Sequence, residues 1–118
     1  MSEGLKFPKP GKKKRRKKHG KPLIFTESGR CFLCEAEGIK KHQETERHHV
    51  LYGAGQRTIS EAEGFVVDLC PYHHRIGPKA VHNCRETREY LCRLFQAEYE
   101  KTHTRAEWME KAGRNYLG

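Results

Sequence analysis

Phe65-Val66-Val67-Asp68-Leu69-Cys70-Pro71-Tyr72-His73-His74 is the stretch that decides the fold. Its first half is a β-rich apolar run, which predicts a strand over 65–69. Its second half turns into helix, since proline is tolerated in a first helical turn. Arg75 to Val81, with Gly77 and Pro78, breaks that helix.

Cys70-x2-His73 has an upstream counterpart in Cys31-Phe32-Leu33-Cys34, with 35 residues between the two half-sites. Two ligands two residues apart chelate one Zn²⁺ through a tight knuckle, and two such pairs complete a tetrahedron. Cys31, Cys34, Cys70 and His73 are therefore the expected structural zinc ligands. His74 competes with His73 for the fourth place, and the spacing favours His73. A redox CxxC lacks the βαβ pattern that would support it. Buried small apolar cysteines are the remaining alternative. Cys84 and Cys92 fall on a long helix among Leu91 and Phe95 and are expected on its face.

The composition makes a staple useful. Of 118 residues only 35% are apolar, and the mean hydropathy is −0.97. A chain this short buries a modest share of its surface. Five cysteines are an odd number for disulfides. No secretory signal follows Met1, and no apolar run approaches the roughly 20 residues needed to cross a bilayer. A soluble, intracellular and cytoplasmic protein without membrane contact is expected, where thiols stay reduced.

The charge divides the chain. Residues 1–29 hold ten Lys/Arg and two Glu, a net +8; residues 30–118 hold fourteen and thirteen, a net +1. Lys12, Lys13, Lys14, Arg15, Arg16, Lys17 and Lys18 form an unbroken basic run. Like charges at that density repel and build no core. Residues 1–29 are read as a disordered basic tail that binds nucleic-acid phosphate by counterion release, and residues 30–118 as the folded domain. A solubility tail or a localisation signal is the plainer reading of that run.

Further along, Arg47–Leu51 is β-like, Tyr52–Gly64 with its three glycines reads as a loop, and Asn83-x-x-Glu86 has capping-box spacing. Tyr90, Leu91, Leu94, Phe95 and Tyr99 recur at helical intervals. Thr104-x-x-Glu107 opens a second helix that Gly113 ends, and Trp108 and Met109 are expected to pack back on the core.

The remaining histidines bear on function. His48 and His49 are adjacent on a short strand, so they point to opposite faces, and a core role suits only one of them. His74 and His82 follow downstream. The resulting order is CxxC, HH, a glycine loop, an apolar strand, CxxHH and HN. This order resembles the HNH endonucleases, and within them the short phage proteins related to the recombination-enhancement, RecA-dependent nuclease. Cys31, Cys34, His48-His49-Val50, Gly53 to Gly55, Leu69 to His74 and His82 carry the likeness, over about residues 30–85. Ala112 to Leu117 also looks like the tail of such proteins.

The resemblance implies an α+β fold: a ββα-metal (His-Me finger) core with a zinc knuckle, followed by two helices. It implies that His48 holds a catalytic divalent ion and that His49 is the general base. His74 matches a further ligand, and His82 a further ligand or leaving-group contact. Cleavage of DNA is the implied activity, with a recombinase filament as one implied partner and, for a phage-encoded chain, the host cytoplasm as the location.

The chemistry asks for these residue types independently. Phosphodiester hydrolysis needs a base that works near neutral pH and a cation against the developing charge. Imidazole ligands favour Mn²⁺, Ni²⁺, Co²⁺ or Zn²⁺ over a pure Mg²⁺ oxygen site, so activity is expected with such ions as well as with Mg²⁺. One family feature is missing: where the middle Asn usually stands, about five residues before the knuckle cysteine, this chain has Phe65. Backbone groups or Asp68 can take its orienting role. The rival readings are a zinc-binding DNA module without catalysis and an RNA-binding zinc-knuckle protein.

Overall fold

The centre of the fold is a two-stranded antiparallel sheet. Strand β1 (Glu46–His49) pairs with β2 (Val66–Leu69), with His48 opposite Val67 and His49 opposite Val66. The β-branched run of β2 suits a sheet packed on one side, and three of its four residues are buried. The computed structural model describes residues 21–118. The basic run Lys12–Lys18, with its expected contact to nucleic acid, lies outside them.

Between the two strands the chain forms helix α2 (Gln56–Glu63), where the sequence reading placed a loop. The glycines that suggested a loop stand at the helix ends instead. Gly55 precedes the helix and Gly64 follows it, both left-handed. Gly64 has φ +77°, and a Cβ there would collide with the backbone of Lys21. Leu23 donates its N–H to the Gly64 carbonyl at 2.8 Å, and Leu23 and Ile24 pack on the core. Residues 21–29 therefore contribute to the fold, which corrects their assignment to the basic tail.

Upstream, the short helix α1 (Phe32–Ala36) carries the CxxC pair. Downstream, Tyr72–Ile76 is one turn of π-helix, closed by Gly77. Helix α3 (Arg85–Tyr99) buries Leu91, Cys92, Phe95, Gln96 and Tyr99, one face at helical spacing. The capping box expected at Asn83 does not form. Cys84 is the N-cap, and no side chain caps the helix. The Asn83 amide instead donates to the carbonyls of Arg75 and Gly77, both at 2.9 Å, bracing the turn after the π-helix.

Helix α4 (Arg105–Ala112) has the Thr104–Glu107 capping box and ends at left-handed Gly113, as its sequence predicts. Trp108 is fully buried, whereas Met109 is 37% exposed and does not join the core. Phe65 sits at the middle of the aromatic core, with ring centroids 6.2 Å from Phe95, 5.6 Å from Tyr99 and 5.4 Å from Trp108. No helix among the described residues is long and apolar enough to cross a membrane. The fold class is thus α+β.

Candidate metal centres and the histidine pocket

Helix α1 and the corner after β2 bring together Cys31, Cys34, Cys70 and His73, the set the spacing had singled out. His73 Nδ1 lies 3.5 Å from Cys31 Sγ and 3.4 Å from both Cys34 Sγ and Cys70 Sγ. Cys34 Sγ and Cys70 Sγ are 3.9 Å apart. Zinc bonds of about 2.3 Å to sulfur and about 2.1 Å to nitrogen, tetrahedrally disposed, require roughly 3.8 Å between sulfurs and 3.6 Å from sulfur to nitrogen. The cluster matches these separations and can hold a metal ion such as zinc. All five cysteines are free thiols. Burial pushes the Cys31 thiol well above its ordinary range, a cost that coordination of the thiolate removes.

Residues around this set orient it. Glu37 Oε2 stands 3.3 Å from His73 Nε2. This pins the tautomer that leaves Nδ1 for the metal. Gln43 donates to Cys34 Sγ at 3.4 Å. The ambiguity between His73 and His74 has a geometric answer: the π-helical turn sends His73 to the cysteines and His74 to the other side.

On that other side His74 meets His48 and His82, and these three imidazoles form a second group able to hold a metal. His74 Nε2 and His82 Nε2 are 3.0 Å apart. The His48 ring stands edge-on to both, at 5.4 Å between centroids. Metal–nitrogen bonds of about 2.1 Å at right angles place cis nitrogens about 3.0 Å apart. His48 Nε2 is buried with no hydrogen-bond partner, an expensive state for a polar atom that a metal bond would relieve. Burial, reinforced by His74 and His82, pushes His48 down to about 3. Burial also lowers His82, with His74 and Arg88 adding to it. Both rings are thus held in the neutral form that ligates.

The alternation of β1 sorts the site into two faces. Glu46 and His48 face the π-helical turn, where Glu46 Oε1 contacts His74 Nδ1 at 2.7 Å. Arg75 holds the same carboxylate at 2.9 Å. Arg75 first and His74 second hold Glu46 down to about 2. An anion at Nδ1 leaves the His74 Nε2 lone pair to face its neighbours.

Arg47 and His49 face α2, where Glu61 receives both. Arg47 binds it in bidentate fashion at 2.7 and 3.1 Å, and His49 Nε2 lies 2.8 Å from Glu61 Oε1. His48, His49, His74 and His82 line one cleft of about 370 Å³, together with Arg47, Tyr52, Arg57 and Arg88.

Asp68, offered by the sequence for the orienting role, lines a depression with Pro22, Ile24, Thr26 and Arg47, and the carboxylate that contacts His49 is Glu61. Phe65 is fully buried in the aromatic core. Glu46, Glu61, Arg57 and Arg88 escaped the sequence reading. Glu46 carried a signal, standing two residues before His48 on one strand face. Glu61 was hidden because its helix was read as a loop.

Comparison with known proteins finds no family model, no curated protein and no solved structure that this chain matches.

Proposed function

We propose that the chain is a metal-dependent DNA endonuclease of the HNH type, a phosphodiester hydrolase with a structural zinc. The observation that carries this reading is one cleft holding three clustered imidazoles and a fourth, His49, bonded to its own carboxylate. His48, His74 and His82 would hold a divalent ion such as Mg²⁺, Mn²⁺ or another transition metal. That ion supplies Lewis-acid stabilisation of the phosphorane and of the leaving oxygen.

Glu61 takes His49 Nε2, so Nδ1 is the nitrogen left to accept a proton. His49 then removes a proton from a water molecule, whose oxygen attacks phosphorus as the P–O3′ bond breaks. Arg47 holds Glu61 in place through its bidentate bond. The carboxylate therefore orients the base and steadies its imidazolium. The role of the missing Asn is filled from another element. Arg57 and Arg88 at the cleft wall suit the phosphate backbone, which carries no sequence information of its own.

Nicking of supercoiled plasmid tests the reading, with Mg²⁺, Mn²⁺, Co²⁺ or Ni²⁺ added in turn. Wild type is expected to cut, and His49→Ala to lose about 10²–10⁴-fold in rate. DNA binding without cutting by any metal would establish the rival reading, a zinc-binding DNA module. Equal cutting by wild type and His49→Ala would remove His49 as the base.

A further inference from the structure

The three clustered imidazoles are not held equally. His48 stands on β1, where its register opposite Val67 fixes it. His74 sits in the π-helical turn, with Glu46 at its Nδ1. His82 is an exposed residue outside every helix and strand. Among the described residues, no carboxylate orients its ring. Its Nε2 nevertheless comes to 3.0 Å from that of His74. The backbone has to bring it there.

After Gly77 the chain doubles back along the π-helical turn. The Val81 N–H donates to the His73 carbonyl at 2.9 Å. The His82 N–H donates to the His74 carbonyl at 3.2 Å, a longer bond. Asn83 continues the row with its side chain: Nδ2 donates to the carbonyls of Arg75 and Gly77, both at 2.9 Å. Carbonyls only accept, so the amide nitrogen and not the oxygen must face them. Both of its hydrogens are used. The Asn83 N–H bonds the Ala80 carbonyl at 2.9 Å and closes the loop from within. Val81, His82 and Asn83 thus bond in order to His73, His74 and Arg75. The amide ties the residue after one imidazole to the residue after the other.

We propose that Asn83 is a positioning residue of the histidine cleft: it clasps the loop 77–83 to the π-helical turn and so sets His82 against His74 at the spacing of two ligands to one divalent cation. Asn83 touches neither ion nor substrate and acts through His82. His74 has Glu46 to orient it; for His82 the clasp does that work from the main chain. The proposal rests on the metal-holding half of the nuclease reading and not on cleavage.

The test is a Co²⁺ titration of the full chain carrying one equivalent of Zn²⁺, followed by ligand-field absorption in the visible. Asn83→Ala removes the clasp, and Asn83→Leu removes its hydrogen bonds while keeping its bulk. The side chain lies on the surface, so neither opens the core. Both variants should bind Co²⁺ about 10–100-fold more weakly than wild type, the usual cost of losing a group that orients a ligand. The cysteine cluster should keep its zinc in both. Wild-type affinity in either variant would overturn the proposal. Zinc lost from the cysteine cluster together with the Co²⁺ would mean a merely structural Asn83 and would overturn it too.

His74→Ala should abolish the absorption band. A band that survives His74→Ala, or no band in wild type, would show that the cleft holds no such ion, and this proposal would fall with the metal-holding half of the nuclease reading. Plasmid nicking is scored separately. No cutting by wild type, with the titration as expected, would remove the nuclease and leave the clasp supported.

Discussion

Stripping the metal from the four-ligand cluster is the most informative single perturbation. The cluster joins α1, five residues long, to the corner after β2. A helix of that length does not persist alone in water. Beyond its cysteines, α1 buries only Leu33, worth about 1.5–3 kcal/mol. Structural zinc in small domains binds with roughly 10–16 kcal/mol. At about 10 µM free zinc that affinity stabilises the folded state by about 3–9 kcal/mol, a large part of the about 5–15 kcal/mol typical of a domain. Each kcal/mol moves Tm by about 4–8 °C at this size. Chelation should therefore lower Tm by at least about 12 °C, read by circular dichroism and by the emission of Trp108, which is fully buried. Elemental analysis should find one zinc per chain fewer in Cys34→Ser than in wild type or in Cys84→Ser. A Tm unmoved by chelation in a protein verified zinc-free would refute the staple. So would full zinc content in Cys34→Ser.

Glu46→Gln should weaken Mn²⁺ or Co²⁺ binding at the histidine cleft by about 10–100-fold, measured by calorimetry, because it removes the anion that fixes the His74 tautomer. Phe65→Asn, which would place the family's residue at its usual position, should cost at least about 3–5 kcal/mol in urea unfolding. It empties the aromatic core and buries an amide there. Thiol alkylation of the zinc-loaded protein should be selective. The Thr87 hydrogen bonds lower Cys84, so its reactive thiolate appears early as pH rises. Burial pushes Cys92 up to about 11, so mass spectrometry at pH 8 should find iodoacetamide on Cys84 and not on Cys92.

What the sequence revealed and what it hid follow from the range of the forces involved. The zinc set was legible because chelation imposes a local spacing, and Cys31, Cys34, Cys70 and His73 converge as that spacing requires. The α4 capping box and the two strands were legible for the same reason: their signals lie within a few residues. Asn83 carried an equally local signal and misled, because its amide found better acceptors at Arg75 and Gly77 than at its own helix. Tyr52–Gly64 misled because glycine marks a left-handed residue, and such a residue ends a helix as readily as it makes a loop.

The hidden part of the site was whatever depended on tertiary placement. Nothing local to Glu61 announces that it will meet His49 twelve residues back; the meeting follows from α2 packing across the outer face of β1. Under the proposed nuclease reading, the same helix would let the chain do without an Asn at position 65. Glu61 of α2 contacts His49, and position 65 holds an aromatic residue fully buried in the core. A double variant, Glu61→Gln with Phe65→Asn, should accordingly lose both activity and stability, by separate amounts that add. Recovery of cleavage in the double variant over Glu61→Gln alone would show that the two positions still share one function.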